Sequence, residues 1–329
     1  MKDIDAVENS TTRIRAVGGG NFEWLSSLRG LMVLMVFISH QHIPFCDKDT
    51  LFVIGRIGVA GFFLMSGYLA VGSLARRNTK QFLLNRFMRI YPVFWLLIII
   101  KFLLCWPKFS ITELLLTMTT FQEFVGIKAQ IIGASWMLPI MVVFFVILAL
   151  CKGNKRWLTM SFYALCVSAL IIGFMRMLTG KPFPTALCLL QLVGLLGYFY
   201  HERGLGREVK TKLCCFEGVL VAASYMSYDY KVIFYFVAYN IGILVFYCFK
   251  RYNLSVRSFD RLGELGFTFF LGAGIPILFI GLFCDVESLH WIPYITLKFV
   301  LAIVFAWVIT KYIEKPLLSI GKKWEIKFA

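Results

Sequence analysis

The sequence predicts an all-α, polytopic membrane helical bundle of about ten transmembrane helices with both termini cytoplasmic, on three observations. The chain is 59% hydrophobic and only 16% charged, with a mean hydropathy of +0.77, too apolar for a soluble globule. Apolar runs close to the ~20 residues that cross a bilayer recur along it. Lys and Arg gather in alternate connecting segments, which is how cytoplasmic loops are marked.

The runs fall at 25–43, 51–73, 90–106, 131–151, 157–175, 185–200, 213–230, 232–249, 264–283 and 292–311. The stretch 112–126 carries Glu113, Gln122 and Glu123 and reads as interfacial or re-entrant rather than as a span. With the N-terminus inside, the cytoplasmic segments hold Arg76, Arg77, Lys80, Arg86 and Arg89, then Lys152, Lys155 and Arg156, and further clusters to Lys327. Outer loops hold scattered cations such as Lys48, Arg56 and Lys108. Topology and membrane-lipid contact thus account for the formal net charge of +16, and no nucleic-acid partner is expected. Residues 1–24, with Gly18, Gly19 and Gly20, are expected as a flexible cytoplasmic tail, 25–313 as the transmembrane unit, and 314–329 as a short cytoplasmic tail. Chemistry is therefore expected inside the bundle. The nine cysteines form no C-x-x-C pair and no metal-type spacing, so no metal site is expected. Cys46 and Cys284 alone fall on the predicted outer face, where pairing is one alternative.

The first run contains Arg29 and His40, ten residues apart in LRGLMVLMVFISH. An eleven-residue offset is ~1100° of helical rotation, about 20° past three turns, so both side chains share a face roughly 16 Å apart along the axis. Ionisable groups in lipid cost roughly 2.5 to 3.5 kcal/mol each and usually face a cavity or a partner. Two readings stay open: a reaction path across the membrane, or Arg29 snorkelling to one interface while His40 caps the other end.

In the second run Gly55, Gly58 and Gly61 form a stripe suited to close helix packing. Ser66, Gly67 and Tyr68 follow as candidate substrate-lining residues, with packing as the plainer account. Arg86 and Arg89 are three apart, hence neighbours on a helical face. They are either a topology anchor among anionic headgroups or a phosphate clamp of paired guanidinium forks. Pro92 is expected to break the approach to the third span. Trp136 is either an interfacial anchor or a lining residue of an acceptor cavity. Glu314 and Lys315 read as a local ion pair or a fold-closing contact.

Taken together, LRGLMVLMVFISH, FFLMSGYL, RFMRIYP, Ser135-Trp136-Met137-Leu138-Pro139 and Tyr312-Ile313-Glu314-Lys315-Pro316 resemble the acyltransferase-3 family of integral membrane O-acyltransferases, over residues 22 to 318. The chain looks like the short branch without a fused extracytoplasmic domain. The resemblance implies transfer of an acyl group, usually acetyl from cytosolic acetyl-CoA, to a hydroxyl of a glycan or lipid-linked carrier across the membrane. It implies a multi-pass protein of a bacterial cytoplasmic (inner) membrane, with acetyl-CoA as donor and no permanently bound cofactor. It carries over Arg29, His40, Arg86 and Arg89. Two departures stand out: Met141 occupies a position where many members have glutamate, and Ala273 one where many have histidine. Both leave more of the acid–base work to His40.

An imidazole near pKa ~6.5 is suited to that work, and a positioned base contributes about 10² to 10⁴ in rate. Attack by His40 on the thioester to give an acyl-imidazole is the alternative. Arg29 is assigned jointly to catalysis and to CoA phosphate binding, with Arg86 and Arg89 as phosphate binders at the entrance. A transporter or flippase of a polar or lipid-linked glycan is one competing class, disfavoured by acidic residues at predicted helix ends and by the lack of a repeat. A lipid-phosphate-sugar glycosyltransferase using Asp47 and Asp49 is another.

Overall fold

The computed structural model describes residues 23–120, 131–286 and 288–327, and these are helices and short connections throughout. The helices are α1 Glu23–Ser39, α2 Lys48–Arg76, α3 Thr79–Leu104, α4 Ile111–Met118, α5 Met137–Cys151, α6 Lys155–Thr179, α7 Thr185–Arg203, α8 Arg207–Tyr228, α9 Val232–Tyr252, α10 Arg257–Glu264, α11 Gly266–Gly272, α12 Ile275–Gly281, α13 Trp291–Ile309 and α14 Lys315–Lys327.

Among the described residues, six helical stretches are long and apolar enough to cross a membrane by length and composition. Several of the ten sequence runs depart from a simple span. Helix α1 has 17 residues, about 26 Å at 1.5 Å per residue, short of the ~30 Å hydrocarbon core. The run at 264–283 is broken into α11 and α12 around Ala273 and Gly274, with Pro276 near the new start. Helices α8 and α9 are joined through a 3₁₀ turn at Asp229–Lys231, with Asp229 at φ 55°. They run antiparallel, since Asn240 donates to Glu217 at 3.0 Å and the Phe216 and Tyr239 rings lie 6.1 Å apart.

Helices α1 and α2 form the centre. Trp24, Leu28 and Met32 of α1 are fully buried, as are Ala60, Phe63 and Ala70 of α2. The glycine stripe packs as small residues in lipid do: added Cβ atoms would meet Ser39 at Gly55, the Met32 carbonyl oxygen at Gly58, both at 2.6 Å, and the Met32 sulfur at Gly61. Farther along α2, Gly67 lies against the Gly194 carbonyl of α7, and Gly197 against the Leu64 carbonyl. On its other side α1 crosses α10 backbone to backbone, with Gly30 against the Phe259 carbonyl and Gly263 against the Ser26 carbonyl. Ser27 ties this crossing, accepting from the Val256 N–H at 2.7 Å and donating to Asp260.

Local chemistry corrects one expectation, the break at Pro92, and adds detail to two others. Helix α3 runs unbroken through Pro92, so Arg86 and Arg89 sit on the body of a helix, not in a loop before it. Glu113 caps α4: its carboxylate accepts from the Ser110 N–H at 2.7 Å while the Ser110 hydroxyl accepts from the Glu113 N–H at 3.2 Å, a capping box. Eight residues cannot span a bilayer, and the remainder of that stretch, including Gln122 and Glu123, lies outside the described residues. The segment expected as a C-terminal tail is helical to Lys327, continuing α13 through a π-helical turn at Thr310–Glu314. Residues 1–22 of the expected N-terminal tail also lie outside the described residues. Cys46 and Cys284 are free thiols, not a disulfide.

Candidate active site

Arg29 lies in the second turn of α1, and His40 just past its C-terminal end. Past Ser39, the His40 N–H donates to the Phe37 carbonyl at 3.2 Å, so the chain carries the imidazole just beyond the helix end. The two residues line different cavities.

At the Arg29 end is a cavity of 410 Å³ whose walls include Arg29, Arg76, Arg77, Arg86, Arg89 and Lys322, with only Glu264 and Glu314 as carboxylates. Each cation arrives by a separate local cause. The Arg29 stem runs over Gly266, where a Cβ would approach its Cδ to 3.1 Å. Arg86 and Arg89 project from one face of α3, and Arg76 and Arg77 from the end of α2. The Arg86 guanidinium lies over the rings of Phe145 and Phe82, at 4.7 and 5.3 Å from their centres, and its buried Nε has no hydrogen-bond partner. Glu314 sits in the π-helical turn. Its carboxylate accepts from Thr268 at 2.7 Å and from Thr310 at 3.1 Å, and it forms no ion pair with Lys315. Of the two readings for Glu314 and Lys315, this buried bond between the broken span and the last helix is the fold-closing contact.

At the His40 end are two cavities that share the imidazole and Gln41, one of 650 Å³ and one of 180 Å³. The larger opens among Asp47, Phe52, Arg56 and Trp136. The smaller is lined by Lys101, Lys298, Ile132 and Phe269. Lys298 donates to Gln41 at 2.9 Å. Asp47 is committed to the rim, where it caps α2 by accepting from the N–H groups of Asp49 and Thr50, both at 3.1 Å.

Phe270, on the broken span, is common to the walls of all three cavities, with its ring 5.8 Å from that of Phe62. An aromatic partition therefore separates a cationic chamber from the imidazole.

The structure assembles the expected residues selectively. Arg29, Arg86, Arg89 and Ser66 share the cationic cavity, while His40 and Trp136 share the opposite one. Gly67 belongs to the α2–α7 packing seam and is absent from the cavity walls. Tyr68 packs in a ring cluster with Trp24 at 5.5 Å and His201 at 4.5 Å, away from both chambers. Met141 lines the cationic chamber and Ala273 the small chamber beside His40. Arg56, Lys101, Lys298, Gln41 and Phe270 were not singled out from the sequence. A cation within an apolar run was the available signal for three of them.

Among the described residues, an all-helical bundle thus places a cationic chamber on one side of Phe270 and a histidine on the other. The family model described as an acyltransferase domain of the acyltransferase-3 type matches residues 22–311, so the chain belongs to the acyltransferase-3 family and is a membrane acyltransferase. Neither the curated proteins nor the solved structures give a match.

Proposed function

We propose that the chain is an O-acyltransferase that takes acetyl from acetyl-CoA entering the Arg29 end and delivers it to a hydroxyl of a cell-surface polysaccharide or lipid-linked glycan at the His40 end. The observation that carries this reading is the placement of the cationic chamber and the imidazole on opposite sides of Phe270. The Arg29 end then faces the cytosol, in agreement with the alternation of loop charge, and the membrane is a bacterial cytoplasmic membrane.

In this reading Arg86 and Arg89 hold the CoA phosphates, because guanidinium forks bind phosphate oxygens bidentately. Arg29 receives the donor deeper in the chamber, and the pantetheine arm passes Phe270. The acceptor oxygen attacks the thioester carbonyl carbon as His40 takes the hydroxyl proton. Collapse of the tetrahedral intermediate breaks the C–S bond, and the proton passes from the imidazolium to the departing thiolate. Ester and free CoA thiol are the products. Ser66 offers a hydroxyl to the donor in the cationic chamber, and Trp136 a ring face for a sugar at the other end.

Membranes carrying the full chain, given radiolabelled acetyl-CoA, test this. Label is expected in alkali-labile esters, and both His40→Ala and charge-retaining Arg29→Lys lower its rate. Full activity in either variant overturns the assignment of that residue.

A further inference from the structure

His40 stands among cations that the transfer chemistry above does not use. Arg56, on α2, points into the larger cavity at the His40 end, with its guanidinium carbon 4.7 Å from the Trp136 ring centre, 4.9 Å from that of Phe52 and 5.4 Å from that of Tyr235. Its Nη1 is buried without a hydrogen-bond partner, and no carboxylate pairs with it among the described residues. Lys101 and Lys298 line the adjoining small cavity, and the bond to Gln41 brings Lys298 a neutral partner only. Asp47, the carboxylate on these walls, is at the rim and already engaged by backbone N–H groups.

Three cations beside one reactive imidazole, without a buried counter-charge, are costly in an apolar bundle unless an anion joins them. An aromatic cage fixes the Arg56 fork in place, so little side-chain freedom is lost when it binds. Toward the bundle interior the guanidinium meets the buried Tyr239 hydroxyl, so packing accounts for its inner side, and the part of the fork that lines the cavity is what an anion can reach.

We infer that the chamber at His40 is a binding site for an anionic acceptor, a sugar bearing a carboxylate or a phosphate, with the Arg56 guanidinium as its selective contact. This rests on the proposed acyltransfer for its meaning, since it names the substrate class for that site. The anion docks on Arg56, with Lys101 and Lys298 adding field, and a neighbouring hydroxyl is left facing His40. Trp136, stacked on Arg56, offers its other face to the sugar ring.

The test is equilibrium binding to the full chain in detergent micelles, with radiolabelled methyl glucuronoside, glucose 6-phosphate and methyl glucoside as probes, and CoA measured in parallel. Charge-assisted hydrogen bonds predict that at least one anionic sugar binds about tenfold or more tightly than methyl glucoside. In Arg56→Gln that gap closes, Arg56→Lys keeps part of it, and CoA binding is unchanged, which also shows that both variants fold. Preference for the carboxylate identifies an acidic sugar, and preference for the phosphate a phosphate-bearing carrier.

Equal binding of the three probes, binding of neither anion, or an anionic preference that survives Arg56→Gln overturns the inference. Binding of neither anion leaves the cations to stabilise the oxyanion instead, and a preference that survives the variant puts the anion on other groups than Arg56. Loss of CoA binding in the wild-type chain, with anion selectivity intact, would remove the donor assignment and leave this site standing.

Discussion

Replacement of Arg86 by glutamine probes the donor chamber at its most defined cation. Its Nε is buried and unpartnered, and its guanidinium is clamped over Phe145 and Phe82, so the group is oriented before any ligand arrives. The ring contacts, about 0.5 to 2 kcal/mol, exist with and without donor and bear on stability rather than on affinity. What CoA loses is the charge-assisted hydrogen bonds, about 1.5 to 3 kcal/mol, which corresponds to roughly 10- to 150-fold in Kd. Arg86→Lys keeps the charge but not the planar fork, and falls between the two. The assay is CoA binding to the full chain across a salt series, because screening weakens such contacts as ionic strength rises. Wild-type affinity with an unchanged salt slope in Arg86→Gln would refute the reasoning.

Four further outcomes follow from the same geometry. His40→Ala is expected to lower transfer by about 10² to 10⁴ while CoA binding stays at the wild-type level, and acid-quenched wild-type protein is expected to carry no acyl label on His40. Gly67→Ala places a methyl group against the Gly194 carbonyl, and its expected cost of about 1 to 3 kcal/mol is read as a lower Tm in micelles, with no change in Kd for CoA among the folded fraction. Glu314→Ala leaves the Thr268 and Thr310 hydroxyls without their buried acceptor, so a loss of about 1 to 3 kcal/mol is expected in denaturant unfolding. The Asp47 carboxyl is held below the usual carboxylate range by hydrogen bonds from Thr50, so its stabilising contribution is full above that range and is lost as pH falls on through the lowered folded-state value. Asp47→Asn should flatten the acidic limb of a Tm-against-pH curve.

Much of the site was legible because it follows from one-dimensional spacing. The offset between Arg29 and His40 set them three turns apart along the chain, and the structure puts them in different cavities, while the pair Arg86 and Arg89 fell on one face of the next cationic helix. The stripe Gly55, Gly58, Gly61 packs as small residues do, and each glycine meets a named atom of α1. Other features were hidden by tertiary structure. Arg56, Lys101 and Lys298 are far apart in the chain and become neighbours of His40 only when α2, α3 and α13 pack together. Phe270 is one of many phenylalanines in an apolar run, and its place between the chambers depends on the break at Ala273 and Gly274. Pro92 was misread because a helix held by packing tolerates it. Glu113 left its stretch short of a span because it serves a helix cap, and Glu314 closes the fold through Thr268 and Thr310.

Esterification of a hydroxyl through His40 is the central activity proposed for this chain. Mass spectrometry of cell-surface glycans and lipids from cells with the intact gene, without it, and with His40→Ala tests that most directly. An increment of one acetyl group, confined to cells with the intact chain and carried by an acidic or phosphate-bearing sugar, is the predicted result. Spectra identical across the three, or acetylation that persists with His40→Ala, would contradict it.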